Sequence, residues 1–234
     1  MMKLSHQRGA LLLKVVLLLS CCLLPDAIRA QASTVKFEEL AKVIQEELKQ
    51  TKTPGAAIAI VSNDCVIFAQ GFGTSNVETN APVTPDMLFR LGSTTKMFTG
   101  AALVTLSATG KLKLDAPIST YANSLHPKLA RLTTHQLLSN NAGMADIQAP
   151  DPSHDDAALS RMVRSWKDEV LFTEPNEIYS YSSAGFWLAG YVIEETDKKP
   201  YADAMAALLF EPLGMKRTTF RPLIAMTYPM AMPH

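Results

Sequence analysis

Ser93 and Lys96 stand three residues apart in the segment Gly92-Ser93-Thr94-Thr95-Lys96. If a helix begins here, the two side chains lie one turn apart on the same face. The lysine amine then reaches the serine hydroxyl, and a hydroxyl with a neighbouring proton acceptor is an activated nucleophile. The start of a helix also offers backbone N–H groups that stabilise a developing oxyanion. The alternative is an N-cap serine followed by an exposed lysine, and four residues alone do not separate the two. Other catalytic frames are missing. Leu91 occupies the position where a Gly-x-Ser-x-Gly elbow requires glycine. The histidines are scattered, without His-x-x-x-His or Cys/His spacing, so no metal site is expected, and there is no P-loop. His135 is expected to pack or cap locally.

The elements that must position this pair are readable from periodicity. Phe37, Leu40, Ala41, Ile44 and Leu48 share one helical face, which predicts an amphipathic helix over residues 35–50. Two β-branched runs, residues 56–61 and 66–69, flank the turn residues Ser62-Asn63-Asp64 and predict a β-hairpin. Gly71-Phe72-Gly73 is expected to close its second strand. This is not a dinucleotide fingerprint, since a third glycine is missing and no helix clearly follows. Residues 94–108 read as a helix with Met97, Phe98, Ala101, Leu103 and Leu106 on its apolar face, ended by Gly110. A mostly helical, loop-rich region follows to about residue 168, with residues 148–156, including His154, as an exposed loop. Two more helices are predicted over residues 183–195 and 201–210. A hairpin alone is a marginal sheet, so further strands are expected from elsewhere.

Composition narrows the function classes. Twenty-two basic and 22 acidic residues balance to a formal net charge of zero. No basic run provides an electrostatic footprint for nucleic acid, and no polybasic face favours an anionic membrane surface. An apolar fraction of 47% is ordinary for a packed globular protein.

Residues 1–32 read as a targeting segment and 33–234 as the folded domain. Lys3, His6 and Arg8 precede an apolar stretch from Leu11 to Leu24, and Ala27, Ala30 and Ala32 supply small residues for a signal peptidase. The stretch is shorter than the ~20 residues of a spanning helix. The expected location is therefore secreted or periplasmic. Two alternatives stay open: a retained anchor, and a lipoprotein site at Leu19-Ser20-Cys21 that would lipidate Cys21. Removing the leader leaves Cys65 as the single cysteine, expected to be a buried small hydrophobe.

Beyond the Ser-x-x-Lys spacing, the chain resembles the serine β-lactamase and penicillin-binding family, in particular its class C-like and esterase-like branch. Residues 88–99, Leu88-Phe89-Arg90-Leu91-Gly92-Ser93-Thr94-Thr95-Lys96-Met97-Phe98-Thr99, resemble that family's first motif with its flanks. Gly110-Lys111-Leu112-Lys113-Leu114-Asp115 resembles the turn that follows its helix. Gln136-Leu137-Leu138-Ser139-Asn140-Asn141-Ala142-Gly143-Met144 is similar to the family's LLSHTSGL stretch, with Asn140 where histidine is usual. Tyr179-Ser180-Tyr181-Ser182-Ser183 matches the Tyr-x-Ser/Asn second motif, and Pro212-Leu213-Gly214-Met215 with Thr218-Thr219-Phe220 resembles a further signature.

The resemblance implies an α/β fold of β-lactamase/transpeptidase type, an antiparallel sheet flanked by helices plus a helical lobe. It implies acyl transfer from a β-lactam, D-amino-acid peptide or ester to Ser93, with no cofactor and no metal. Lys96 takes or relays the serine proton, Tyr181 is the second proton-transfer group, and Ser183 bonds Lys96 or the substrate amide. Tyr179 is expected to pack beside Phe186 and Trp187. The family's third motif, Lys-Thr-Gly or His-x-Gly, has no counterpart after Tyr181, where Gly185, Gly190 and Gly214 stand in other settings. A shortened member lacking C-terminal strands is therefore expected. A non-catalytic protein that binds peptidoglycan or a partner through the same cleft is the competing reading.

Overall fold

A computed structural model describes residues 37–148, 153 and 155–233. The leader, Cys21 and most of the loop carrying His154 lie outside the described residues. Those described divide into two compact units, one reaching Met87 and including residues 231–233, the other Leu88–Met230.

In the first unit the amphipathic pattern becomes helix α1, residues 37–51, with Ile44 buried. Strand β1 (Gly55–Ser62) pairs antiparallel with β2 (Cys65–Asn76), Ile58 opposite Gln70. Asn63 and Asp64 both take positive φ, 50° and 60°. That is the conformation a two-residue hairpin loop needs to match the strand twist. Phe37 of α1 stacks on Phe68 of β2, ring centroids 5.0 Å apart.

Two expectations fail here. Strand β2 does not close at Gly71-Phe72-Gly73 but runs on and pairs with a short third strand, β3 (Ala81–Pro82), giving the order β1-β2-β3. A Cβ on Gly71 would sit 2.2 Å from the Val83 carbonyl oxygen. The glycine is thus a site of close backbone crossing, not a strand end. Cys65 is exposed, not buried. It opens β2 opposite Ser62 at the hairpin tip, beside the equally exposed Val66 and Ile67.

The second unit is helical. It contains α2 (Thr95–Ala108), α3 (Pro127–Ala130), α4 (Thr134–Leu138), α5 (Ala158–Ser165), α6 (Ser183–Asp197), α7 (Tyr201–Met205) and α8 (Pro222–Ala225). The helix expected over 201–210 is α7 continued as a π-turn, Ala206–Phe210. Helix α6 is the core element, burying Ala184, Leu188, Tyr191, Val192 and Ile193 against α2, α4 and α5. It starts where the Ser182 hydroxyl accepts from the Gly185 N–H at 3.0 Å and ends at Lys198, φ 56°. Helix α4 opens on a capping box: the Thr133 and Gln136 side chains accept each other's backbone N–H.

The inward face of α2 is Thr99, Ala102, Leu103 and Leu106, while Met97 and Ala101, expected inside, point outward. Its apolar residues run almost all round the helix, so periodicity alone does not choose the buried side. His135 is exposed, and the side-chain histidine cap belongs to His126, which accepts from the Lys128 N–H at 3.4 Å. An antiparallel sheet with its helix, and a helical lobe, make the α/β class expected. No described helix is long and apolar enough to cross a membrane.

Candidate active site

Ser93 lies in a 3-10 turn, Gly92–Thr94, immediately before α2 and not in its first α-turn. Gly92 opens that turn at φ 53°. Ser93 and Lys96 remain one turn apart as expected, and Lys96 Nζ donates to Ser93 Oγ at 3.2 Å.

From the opposite side, α6 and the segment before it complete the group. The Tyr181 hydroxyl is 2.6 Å from Ser93 Oγ. Lys96 Nζ also donates to Ser183 Oγ at 3.4 Å and sits 4.6 Å from the Tyr181 ring centroid. The Phe186 ring, 5.7 Å away, faces the same ammonium. All four expected residues therefore converge, drawn from the turn before α2, from α2, from the segment before α6 and from the first residue of α6. Tyr179, expected to pack beside Phe186 and Trp187, is 69% exposed. The backbone N–H groups of Ser180 and Ser182 both bond to Asn140.

The electrostatics favour proton traffic at this point. Hydrogen bonding to Lys96, and then to Ser93, holds the Tyr181 phenol below its ordinary value, while the Asp146 carboxylate opposes that shift. Asp146 Oδ1 accepts the Ser183 N–H at 2.8 Å at the start of α6. The Ser93 hydroxyl thus faces the Lys96 nitrogen and an acidified phenol together, each a proton acceptor once deprotonated. Among the described residues, no group of three or more His, Cys, Asp or Glu side chains is placed to hold a metal.

Sequence reasoning passed over Ser182 and Asp146 and met Asn140 only as a departure from the family pattern. Ser182 was findable as an N-cap followed by a small-residue, apolar run. Nothing in the sequence joins Asp146 to Ser183, because the bond is to a backbone N–H.

Residues 40–232 match the family described as Beta-lactamase. Penicillin-binding protein 4 of Amycolatopsis lactamdurans is 30% identical over 186 residues, 77% of this chain and 48% of that protein. Among solved structures, the octameric penicillin-binding protein homologue from Pyrococcus abyssi superposes with a TM-score of 0.72 at 28% identity, covering 84% of this chain and 47% of that one. D-amino acid amidase from Ochrobactrum anthropi SV3 superposes with a TM-score of 0.66 at 28% identity, covering 78% and 52%. The chain spans 38% to 48% of the length of the curated relatives it matches.

Proposed function

The chain belongs to the Beta-lactamase family, and on that premise we propose that it forms and hydrolyses an acyl-enzyme at Ser93. The observation that carries this reading is the convergence of Lys96 and Tyr181 on one hydroxyl, at 3.2 and 2.6 Å. Ser93 Oγ attacks the acyl carbon, forming a C–O bond. Its proton passes to Lys96 Nζ in its neutral amine form or to the Tyr181 oxygen as phenolate. The C–N bond of an amide or lactam, or the C–O bond of an ester, then breaks, and the leaving group takes that proton. Water attacks the acyl-Ser93 ester and restores the hydroxyl, the same two groups returning the proton. Ser183 keeps Lys96 aimed by accepting from it.

The substrate class is a β-lactam, a D-amino-acid peptide or amide, or a small ester. The penicillin-binding and amidase relatives support the first two. The expected leader supports a secreted or periplasmic location, which N-terminal sequencing of the exported protein would check: an unprocessed Met1 on cytoplasmic protein contradicts it.

Hydrolysis of a chromogenic β-lactam, a D-amino-acid amide and an activated ester tests the function, with Ser93→Ala beside the wild-type chain. At least one substrate is expected to turn over, and Ser93→Ala to abolish it. Turnover that survives in Ser93→Ala contradicts the reading. Folded protein inert to all three favours the non-catalytic binding role, for which Asn140 in place of histidine is the observation.

A further inference from the structure

We propose that Asn140 is the positioning residue that holds Tyr181 against Ser93. This rests on the acyl-transfer reading for its consequence, though not for its geometry. Asn140 follows α4 in the left-handed conformation, φ 56°, which asparagine tolerates better than other side-chain-bearing residues. Its backbone carbonyl accepts the Ser180 N–H at 2.8 Å, and its side-chain Oδ1 accepts the Ser182 N–H at 3.1 Å. The two bonds flank Tyr181 on either side in sequence. An N–H partner requires the carboxamide oxygen, not the nitrogen, at that position, which orients the side chain.

This bracket matters because Tyr181 is weakly held by its own side chain. The residue is 42% exposed, and the contacts of its ring and hydroxyl run to Ser93 and Lys96, the groups it must serve. Its place is therefore set by the backbone of 180–182. Ser182 is tied once more, its hydroxyl donating to the Ala145 carbonyl at 2.9 Å. The loop from 140 to 146 reaches further forward through Asp146, which accepts from Ser183. Among the described residues, only Asn140 bonds to the backbone N–H groups of both neighbours of the tyrosine.

The charged and titratable groups facing Tyr181 are Lys96 from α2 and Asp146 from the loop, and the Tyr181 hydroxyl itself bonds Ser93. If the bracket opens, the phenol leaves Lys96 and Ser93 and loses the two bonds that lower its titration. The basic form then appears at higher pH.

Asn140→Gly keeps the left-handed backbone and the carbonyl but removes the side-chain acceptor; Asn140→Asp keeps an acceptor. Two readouts are taken on the full chain. The first is the acylation rate of Ser93 by an activated ester across pH. The second is the Tyr181 titration, read as the ultraviolet phenolate difference against Tyr181→Phe. Asn140→Gly is expected to lower the plateau rate by about 10- to 100-fold, as a misplaced group does, with KM little changed and the Tyr181 midpoint moved upward. Asn140→Asp is expected to recover most of the plateau rate. An unchanged plateau and an unchanged Tyr181 midpoint in Asn140→Gly would overturn the assignment, whatever happens to thermal stability. If the midpoint moves while wild-type protein takes no acyl group, the positioning holds and the acyl-transfer reading fails.

Discussion

The two units bury their apolar residues very differently. In the helical unit, Leu103, Leu106, Leu188, Tyr191, Val192 and Ile193 are wholly inaccessible and belong to one continuous cluster. In the hairpin unit, the described residues bury Ile44, Phe72 and Val83 but leave Val61 and Val66 at 64% exposure. Burial of apolar area is the main stabilising term, so the helical unit holds itself together while the sheet does so only weakly. Ser93, Lys96, Tyr181, Ser183 and Asn140 all belong to the helical unit. The proposed catalytic group is thus assembled by the better-packed part of the molecule, from helix starts and one loop.

Substitution in each unit puts this contrast at risk. Leu188→Ala, at the centre of α6, is expected to destabilise the helical unit by about 2–5 kcal/mol, the range for emptying a buried leucine site. Val66→Ala on the open hairpin face is expected to change stability by less than about 0.5 kcal/mol. Denaturant titration followed by circular dichroism checks both, and equal losses would dissolve the distinction.

A smaller effect separates two glycines within the helical unit. Gly143 and Gly110 both take positive φ, 70° and 75°. A Cβ on Gly143 would meet the Thr173 carbonyl oxygen at 2.3 Å, whereas one on Gly110 meets nothing within 4 Å. Gly110→Ala is expected to cost about 1 kcal/mol from backbone conformation alone. Gly143→Ala should cost more, and should slow acylation as well, because the loop it bends carries Asn140 and Asp146. Equal thermal shifts for the two, with equal rates, would contradict this.

The smallest effect is a pH dependence. Burial raises the Glu194 carboxyl above its ordinary 4.5, although the Tyr201 N–H bonded to it pulls the other way. The folded state binds this proton more tightly than the unfolded chain. Its contribution to stability is therefore complete below the ordinary value and is lost as pH rises through the folded one. Glu194→Gln removes the proton and keeps an acceptor for Tyr201. It is expected to raise Tm at pH 7 relative to wild type and to change it little at pH 4. The same shift at both pH values would rule out this linkage.

The sequence disclosed the parts of the site that depend on local spacing. Ser93 and Lys96 stand three residues apart, so their contact was legible from spacing, while the choice between an activated serine and an N-cap rested on the family resemblance. Tyr181 and Ser183 are far away along the chain and were legible only through the family resemblance. The bracket at Asn140 was hidden because its bonds end on backbone N–H groups, which every residue but proline carries. The hairpin was legible from its β-branched runs and turn, and its length was not. Gly71 and Gly73 look like punctuation in a sequence, yet in space they admit the close approach of residues 83 and 54. Cys65 and Met97 misled because hydrophobic character was read as burial, and the converse of that rule does not hold.

The most direct test of the account is the mass of the protein after brief exposure to a β-lactam or an activated ester, followed by peptide mapping. One acyl group per chain is expected, on the peptide containing Ser93, absent in Ser93→Ala and slowed in Tyr181→Phe. An adduct on any other residue, or one that persists in Ser93→Ala, would contradict it.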